Sequence, residues 1–234
     1  MILNLIPSPR NVSTAFMYSF GQRKDTKCLD EPFYACYLKE TGKHHPGREK
    51  IMKSLSSNRE DIYHWIRSTN APLVFVKNMA HHIVEKDFIS NPEWKHCFLI
   101  RHPKLLIRSF TKVIEKPAIE DLGITAQRNW FDYLNQQNNK PYILDSNDLL
   151  LNPEIELKKL CHFFNIPFTP SMLTWPPGPK SYDGTWAPYW YNGVHKSTGF
   201  KPPSDIESAQ FPKELQYLLD KCLEDYLYLK NQTK

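Results

Sequence analysis

MILNLIPSPRNVSTAFMYSF, residues 1–20, is the stretch whose reading decides the fold. MILNLIPS is an apolar run of strand length that stops at Pro7 and Pro9, and AFMYSF resumes with helix-compatible spacing after the polar PRNVST. Strand, tight turn and helix in that order aim backbone N–H groups and the positive end of a helix dipole at one point, which suits a phosphate. Arg10 adds a planar donor fork, and Ser13 and Thr14 add hydroxyls at the first helical turn. The same residues also fit an ordinary strand-to-helix connection capped by Asn11 or Ser13. The G-x-x-x-x-G-K-S/T spacing of a nucleoside-triphosphate loop is absent.

Working outward, the pattern repeats. TKCLD reads as a short strand ending at Asp30-Glu31, PLVFVKNM as a β-branched strand ending at Lys77, HCFLIR as a strand running into Arg101, and KPYILD as a last strand ending at Asp145. Helices are expected over 49–56 and 58–69, over Ala80 to Phe88, in KLLIRSFTKVIE behind Pro103, in ITAQRNWFDYLNQQ, in EIELKKLCHFF behind Asn152-Pro153-Glu154, and in PKELQYLLDKCLEDYLYLKN. Residues 165–204 are rich in Pro, Gly and aromatics and show no period. Buried-looking strands alternating with helices predict an α/β three-layer sandwich with a mainly parallel central sheet flanked by helices. Ligands in such sheets sit at the carboxyl ends of the strands. That puts Arg10 to Thr14, Asp30-Glu31, Lys77 to His82, Arg101 and Asp145 around one crevice. With no internal repeat and no linker, one domain over residues 1–234 is expected.

The totals narrow the partners. A net charge of +5 favours a polyanionic small ligand but is too diffuse to argue for nucleic acid. No apolar run approaches the roughly 18–20 residues needed to span a bilayer, and the first residues lack the pattern of a signal peptide. Five scattered cysteines without a C-x-x-C pair read as free thiols, for which a reducing cytoplasm is the expected setting. His81-His82 and His44-His45 lack the spacing of a zinc site. No metal is therefore expected.

At several places the chain resembles the P-loop-type sulfotransferases that use 3'-phosphoadenosine 5'-phosphosulfate (PAPS). PRNVST looks like that family's 5'-phosphosulfate loop, so the resemblance assigns Arg10 to the loop's basic position and Asn11, Val12, Ser13 and Thr14 to the 5'-phosphate. FLIRHPKLLIRSF looks like the 3'-phosphate motif, with Arg101 at a strand end and Ser109 one helix further on. YILDSNDLLLNPEIELKKLCHFFNIPF follows the family's downstream strand-then-helix rhythm. VHKSTGF, with Lys196, Ser197 and Thr198, sits where a late basic loop closes over the 3'-phosphate. PRNVSTAFMYSF, DEP and WAPYWYNGVHKSTGF also resemble a bacterial sulfotransferase-like branch. The likeness runs from about residue 2 to residue 200. Three positions depart from the pattern: Val12 stands where many members have Gly, Arg10 replaces the usual Lys, and His102 stands where Asp is common.

The resemblance implies transfer of a sulfuryl group from PAPS to a hydroxyl or amine of a small acceptor, leaving adenosine 3',5'-bisphosphate, with no metal required. Arg10, the loop amides and Lys77 are then expected to stabilise charge on the leaving phosphate. The general base is expected to be Glu31, or His81 or His82. Trp175 to Tyr191 reads either as a lid over the acceptor or as rings packing a long loop. Two alternatives stay open: a P-loop kinase of nucleotides or small molecules with Asp145 as a metal ligand, and a non-catalytic phosphoadenosine-binding relative.

Overall fold

The computed structural model describes residues 1–89, 91–206 and 210–233. Five strands, β1 (Ile2–Pro7), β2 (Thr26–Asp30), β3 (Leu73–Lys77), β4 (Lys95–Ile100) and β5 (Tyr142–Asp145), form one parallel sheet in the order β2-β3-β1-β4-β5. This is the expected P-loop-like α/β architecture, and each strand falls within the segment read for it except β4, which starts one residue earlier, at Lys95.

Alternation along the strands explains the two helical layers. Leu3, Leu5, Phe75, Cys97 and Leu99 face one side of the sheet and pack with Phe16, Met17 and Phe20 of the helix Ser13–Phe20. Ile6, Val74, Val76, Phe98 and Ile100 face the other side and pack with the helices Arg59–Ser68, Pro103–Phe110, Ile124–Gln136 and Gln216–Lys230. A strand buried on both faces needs apolar residues at odd and even positions alike, which is why these strands read as near-continuous apolar runs. β1 lies at the centre, with β3 on one side and β4 on the other. The chain therefore changes direction across the sheet at β1, and a crevice opens at its carboxyl end.

Several helix expectations need correction. Ala80 to Phe88 is not one helix: the Ala80 N–H bonds to the Pro7 carbonyl and its own carbonyl accepts from Trp130 Nε1, so its backbone is committed to neighbouring elements. Only Glu85–Ile89 is helical there, with Asp87 accepting from the Val84 N–H. The helix behind Pro103 stops at Phe110 rather than continuing through KVIE, and the β-branched run Thr111, Val113, Ile114 follows it as turn. Asn152 does not cap Pro153–Phe163 with its side chain; it joins that helix to the preceding Ser146–Leu151. The C-terminal helix begins at Gln216, after a 3-10 turn at Lys213–Leu215. All five cysteines are buried and free. Among the described residues no helix is long and apolar enough to cross a membrane.

Phe75 is fully buried in mid-sheet, its ring stacked 4.3 Å from Phe20 and edge-on to Phe16 at 5.9 Å. Phe75→Ala should cost about 3–5 kcal/mol. Urea unfolding should show this as a lowered midpoint with an unchanged slope.

Candidate active site

The turn after β1 starts the helix Ser13–Phe20 without a side-chain cap. Neither Asn11 nor Ser13 plays the capping role that the local pattern allowed. The Asn11 amide instead donates to the Leu99 carbonyl and, at 3.1 Å, to Ser8 Oγ, tying the turn to β4. Val12 itself adopts φ 42° and Arg10 φ 57°, so the left-handed turn is made without glycine. Left-handed backbone costs a residue with a Cβ roughly 1–2 kcal/mol, and for a β-branched valine it is unusual. Glu31, just past β2, is also left-handed at φ 41°. The other non-glycine residues of this kind among those described are Asn138 and Asn165, a type that tolerates the conformation. Strain from less tolerant residues is thus gathered at the ends of β1 and β2.

A cavity of about 360 Å³ opens there, within the usual range for small-ligand pockets. Its floor is Pro9 to Ala15. Arg101, Ser109 and Phe110 line one part of it, and Glu31, Tyr34, His45, Met79, His81 and His82 another. Trp190, Tyr191 and the segment around Phe200 and Lys201 close over it.

Arg10 and Arg101 meet at the first part. Arg10 Nε donates to Ser109 Oγ at 3.0 Å and Nη1 to the Trp190 carbonyl at 3.0 Å, while Arg101 Nη1 donates to the Arg10 carbonyl. Both guanidiniums are half-buried, and among the described residues neither is paired with a carboxylate. Burial and then the nearby Arg10 charge push Arg101 down to about 10. Asp145 acts on Arg101 from a distance, but among the described residues neither guanidinium has a carboxylate within ion-pair reach, an unfinished arrangement that an anion would complete. The helix Pro103–Phe110 holds Ser109 in place, with Pro103 in its first turn and the His102 ring accepting from the Lys104 N–H.

Lys77 is brought to the site but not into the cavity. Its ammonium is fully buried and donates to Asp30 Oδ1, Glu31 Oε1 and the Tyr191 hydroxyl, each at 2.6 Å. Register forces this, because Lys77 sits opposite Asp30 in the β2–β3 ladder. Lys77, expected to act on a leaving phosphate, here directs its three donors to holding β2, β3 and the Tyr191 segment together. Burial would lower the Lys77 pKa, but Asp30 and Glu31 outweigh it and raise it. Burial raises Glu31, with Lys77 opposing and Asp30 reinforcing.

His82 is buried between the rings of Tyr34 and Tyr37, stacked at 4.6 and 4.5 Å, with Nδ1 3.7 Å from Glu31 Oε2. Burial and the neighbouring His81 hold its pKa well below the usual range, and burial with His45 takes His81 down to about 3. Both rings are neutral at physiological pH. Among the described residues no cluster of three or more His, Cys, Asp or Glu has metal-holding geometry.

In the late loop the expected residues divide. Ser197 lines the cavity, with its hydroxyl donating to the Val194 carbonyl at 2.7 Å and accepting from Trp175 Nε1. Lys196 and Thr198 point to solvent, and the lysine on the cavity wall is Lys201. Asp145, the candidate metal ligand of the kinase reading, accepts from the Asn147 N–H on one oxygen and from the Tyr226 hydroxyl and Lys230 on the other. Sequence reasoning missed Tyr191, Asp30 as a partner of Lys77, and the Tyr34–His45 pair, whose hydroxyl and Nδ1 are 2.7 Å apart. The only available signal was the density of aromatics between residues 175 and 191.

The comparisons follow the same lines. The family model described as "Sulfotransferase domain" matches residues 2–227. Two curated relatives from Arabidopsis thaliana, branched-chain-amino-acid aminotransferase-like proteins 1 and 2, are each 35% identical over 97% and 100% of this chain. The chain spans only 41% and 42% of their lengths. Among solved structures, the sulfotransferase domain of the Synechococcus PCC 7002 olefin synthase aligns with a TM-score of 0.64 at 17% identity, covering 97% of this chain and 94% of that one. The sulfotransferase domain from the curacin biosynthetic pathway aligns at 0.59 and 17%, covering 100% and 98%. These structural likenesses speak to the fold.

Removing one member of a buried charge cluster leaves the others unpaired. Lys77→Met should therefore destabilise by about 3–5 kcal/mol in chemical denaturation, and adding Asp30→Asn should recover part of that loss. A second expectation concerns acid. Because folded His81 and His82 resist protonation, the unfolded chain binds more protons once the pH drops below about 6.5. Stability should fall from there towards pH 3, each ring contributing up to about 1.4 kcal/mol per pH unit. His81→Gln should flatten that slope in thermal melts between pH 7 and 4.5.

Proposed function

This chain belongs to the sulfotransferase-domain family, and we propose that it is a PAPS-dependent sulfotransferase acting on a small acceptor, built as one domain over residues 1–234. The observation that carries this reading is the pair of half-buried guanidiniums, Arg10 and Arg101, gathered with Ser109 at the end of the central strands and lacking any carboxylate among the described residues. That donor set fits phosphate oxygens, which accept from the planar forks of arginine. Arg101 and Ser109 would hold a 3'-phosphate, and the turn from Arg10 to Thr14 would hold the 5'-side. Lys201 takes the place that the sequence resemblance gave to Lys196.

PAPS supplies the sulfuryl group. The protein's own share is positioning and proton handling, as in other loose transfers. Glu31 is the base in this reading: it lines the cavity, and its Oε2 is the carboxylate oxygen not engaged by Lys77. His82 supports it as a neutral neighbour, and Tyr191 orders the carboxylates behind it. The acceptor hydroxyl would give its proton to Glu31 as its oxygen bonds to sulfur and the bond from sulfur to the 5'-phosphate oxygen breaks, adenosine 3',5'-bisphosphate leaving. A kinase reading is disfavoured because the oxygens of Asp145 are already occupied.

Thermal shift with adenosine 3',5'-bisphosphate, 5'-ADP, and ATP with Mg²⁺ tests the assignment. The 3',5'-bisphosphate at a hundred times its Kd should add about 2.7 kcal/mol, and 5'-ADP should add much less. Arg101→Ala should abolish the difference between them. A response confined to ATP with Mg²⁺ would replace this reading with the kinase.

A further inference from the structure

The strand order sorts the cavity by charge. Arg10 and Arg101 follow β1 and β4, whereas Glu31 and Tyr34 follow β2, and Met79, His81 and His82 follow β3 on the opposite side of β1. The charged side chains on the wall are Arg10, Arg101, Lys201 and Glu31, joined by the imidazoles of His45, His81 and His82. None of the three cations stands after β2 or β3. Lys77, which does end β3, is turned away into the Asp30–Glu31–Tyr191 cluster, and Lys43 is paired with Asp121. Burial lowers the pKa of all three imidazoles, so they bring hydrogen-bonding atoms without charge. Nδ1 of His81 and Nδ1 of His82 are buried there without a hydrogen-bond partner.

We propose that the β2–β3 half of this cavity takes an uncharged alcohol as acceptor and rejects acceptors bearing a carboxylate, phosphate or sulfate near the reacting hydroxyl. This rests on the sulfotransferase reading and names the acceptor class of that same site. An anion placed here would lose water and face Glu31, and neither β2 nor β3 supplies an unpaired cation to it; Arg10 stands only at the Trp190 edge, 5.9 Å from that ring. A neutral alcohol meets none of these costs. Its hydroxyl can donate to Glu31, and its carbon frame can lie on Tyr34 and Met79.

The test is calorimetric titration of matched pairs into the protein saturated with adenosine 3',5'-bisphosphate: benzyl alcohol against 4-(hydroxymethyl)benzoate, and methyl glucoside against methyl glucuronide. The uncharged member should bind at least tenfold tighter. His45→Arg, and separately His81→Lys, should narrow or reverse the preference by supplying the missing cation; two variants are used so that one misfolded protein does not decide the matter. Equal or tighter binding of the carboxylates by the unaltered protein overturns the proposal. Nucleotide binding is measured first in the same protein. If the bisphosphate fails to bind, the sulfotransferase reading falls, and the pairs titrated without nucleotide still decide the charge preference.

Discussion

A buried lysine ammonium organises this site. Removing Lys77 Nζ from water is tolerable only because Asp30, Glu31 and the Tyr191 hydroxyl each accept from it at 2.6 Å. Much of the surrounding geometry follows from that requirement. Glu31 turns left-handed just past β2, where its N–H bonds to the Lys77 carbonyl and its side chain reaches the ammonium. Tyr191 must lie over the sheet, so the aromatic segment before it folds inward, with Trp186 Nε1 donating to the Tyr191 hydroxyl and the Gly184 N–H donating to Asp30. The wall of the cavity is therefore a by-product of neutralising one lysine.

The opposite rule governs the other half. Arg10 and Arg101 receive hydroxyl and carbonyl oxygens but no carboxylate among the described residues. Protein oxygens satisfy individual N–H groups without cancelling charge. Around one cavity, the Lys77 ammonium behind the wall is paired and structural, and the two guanidiniums on the wall lack a carboxylate at ion-pair distance among the described residues. The strained backbone at Arg10 and Val12 holds the guanidiniums where they are.

This division marks the limit of what could be read from residues alone. The sheet was legible because each strand is an apolar run closed by a polar residue, and parallel order then gathers those polar ends. Arg10 and Arg101 were found in that way, and Ser109 through the family resemblance. What strand ends do not reveal is direction: Lys77 and Arg101 both close strands, yet one faces a neighbouring carboxylate across the β2–β3 ladder and the other faces the cavity. Register across the sheet decides this, and no local pattern encodes it. The φ of Val12 was also hidden, since its residue type argued against the conformation it adopts. Choosing Lys201 over Lys196 depends on how an aperiodic loop closes, with Gly199 bridging to Thr174.

The two carboxylates of the lysine cluster are not equivalent, and this bears on the proposed chemistry. Both oxygens of Asp30 accept from fixed donors: Lys77 on one side, the Gly184 N–H on the other, and the Tyr191 hydroxyl on either. Glu31 has Lys77 and, at 3.4 Å, the Tyr191 hydroxyl on one oxygen and, among the described residues, only the His82 imidazole at 3.7 Å on the other. A single ammonium cannot balance two buried anions, so a proton gained by the cluster goes to the carboxylate with fewer donors. Burial raises Glu31 in that sense. In the proposed reaction Glu31 is the group whose proton is exchanged, while Asp30 holds Lys77 through its own hydrogen bond.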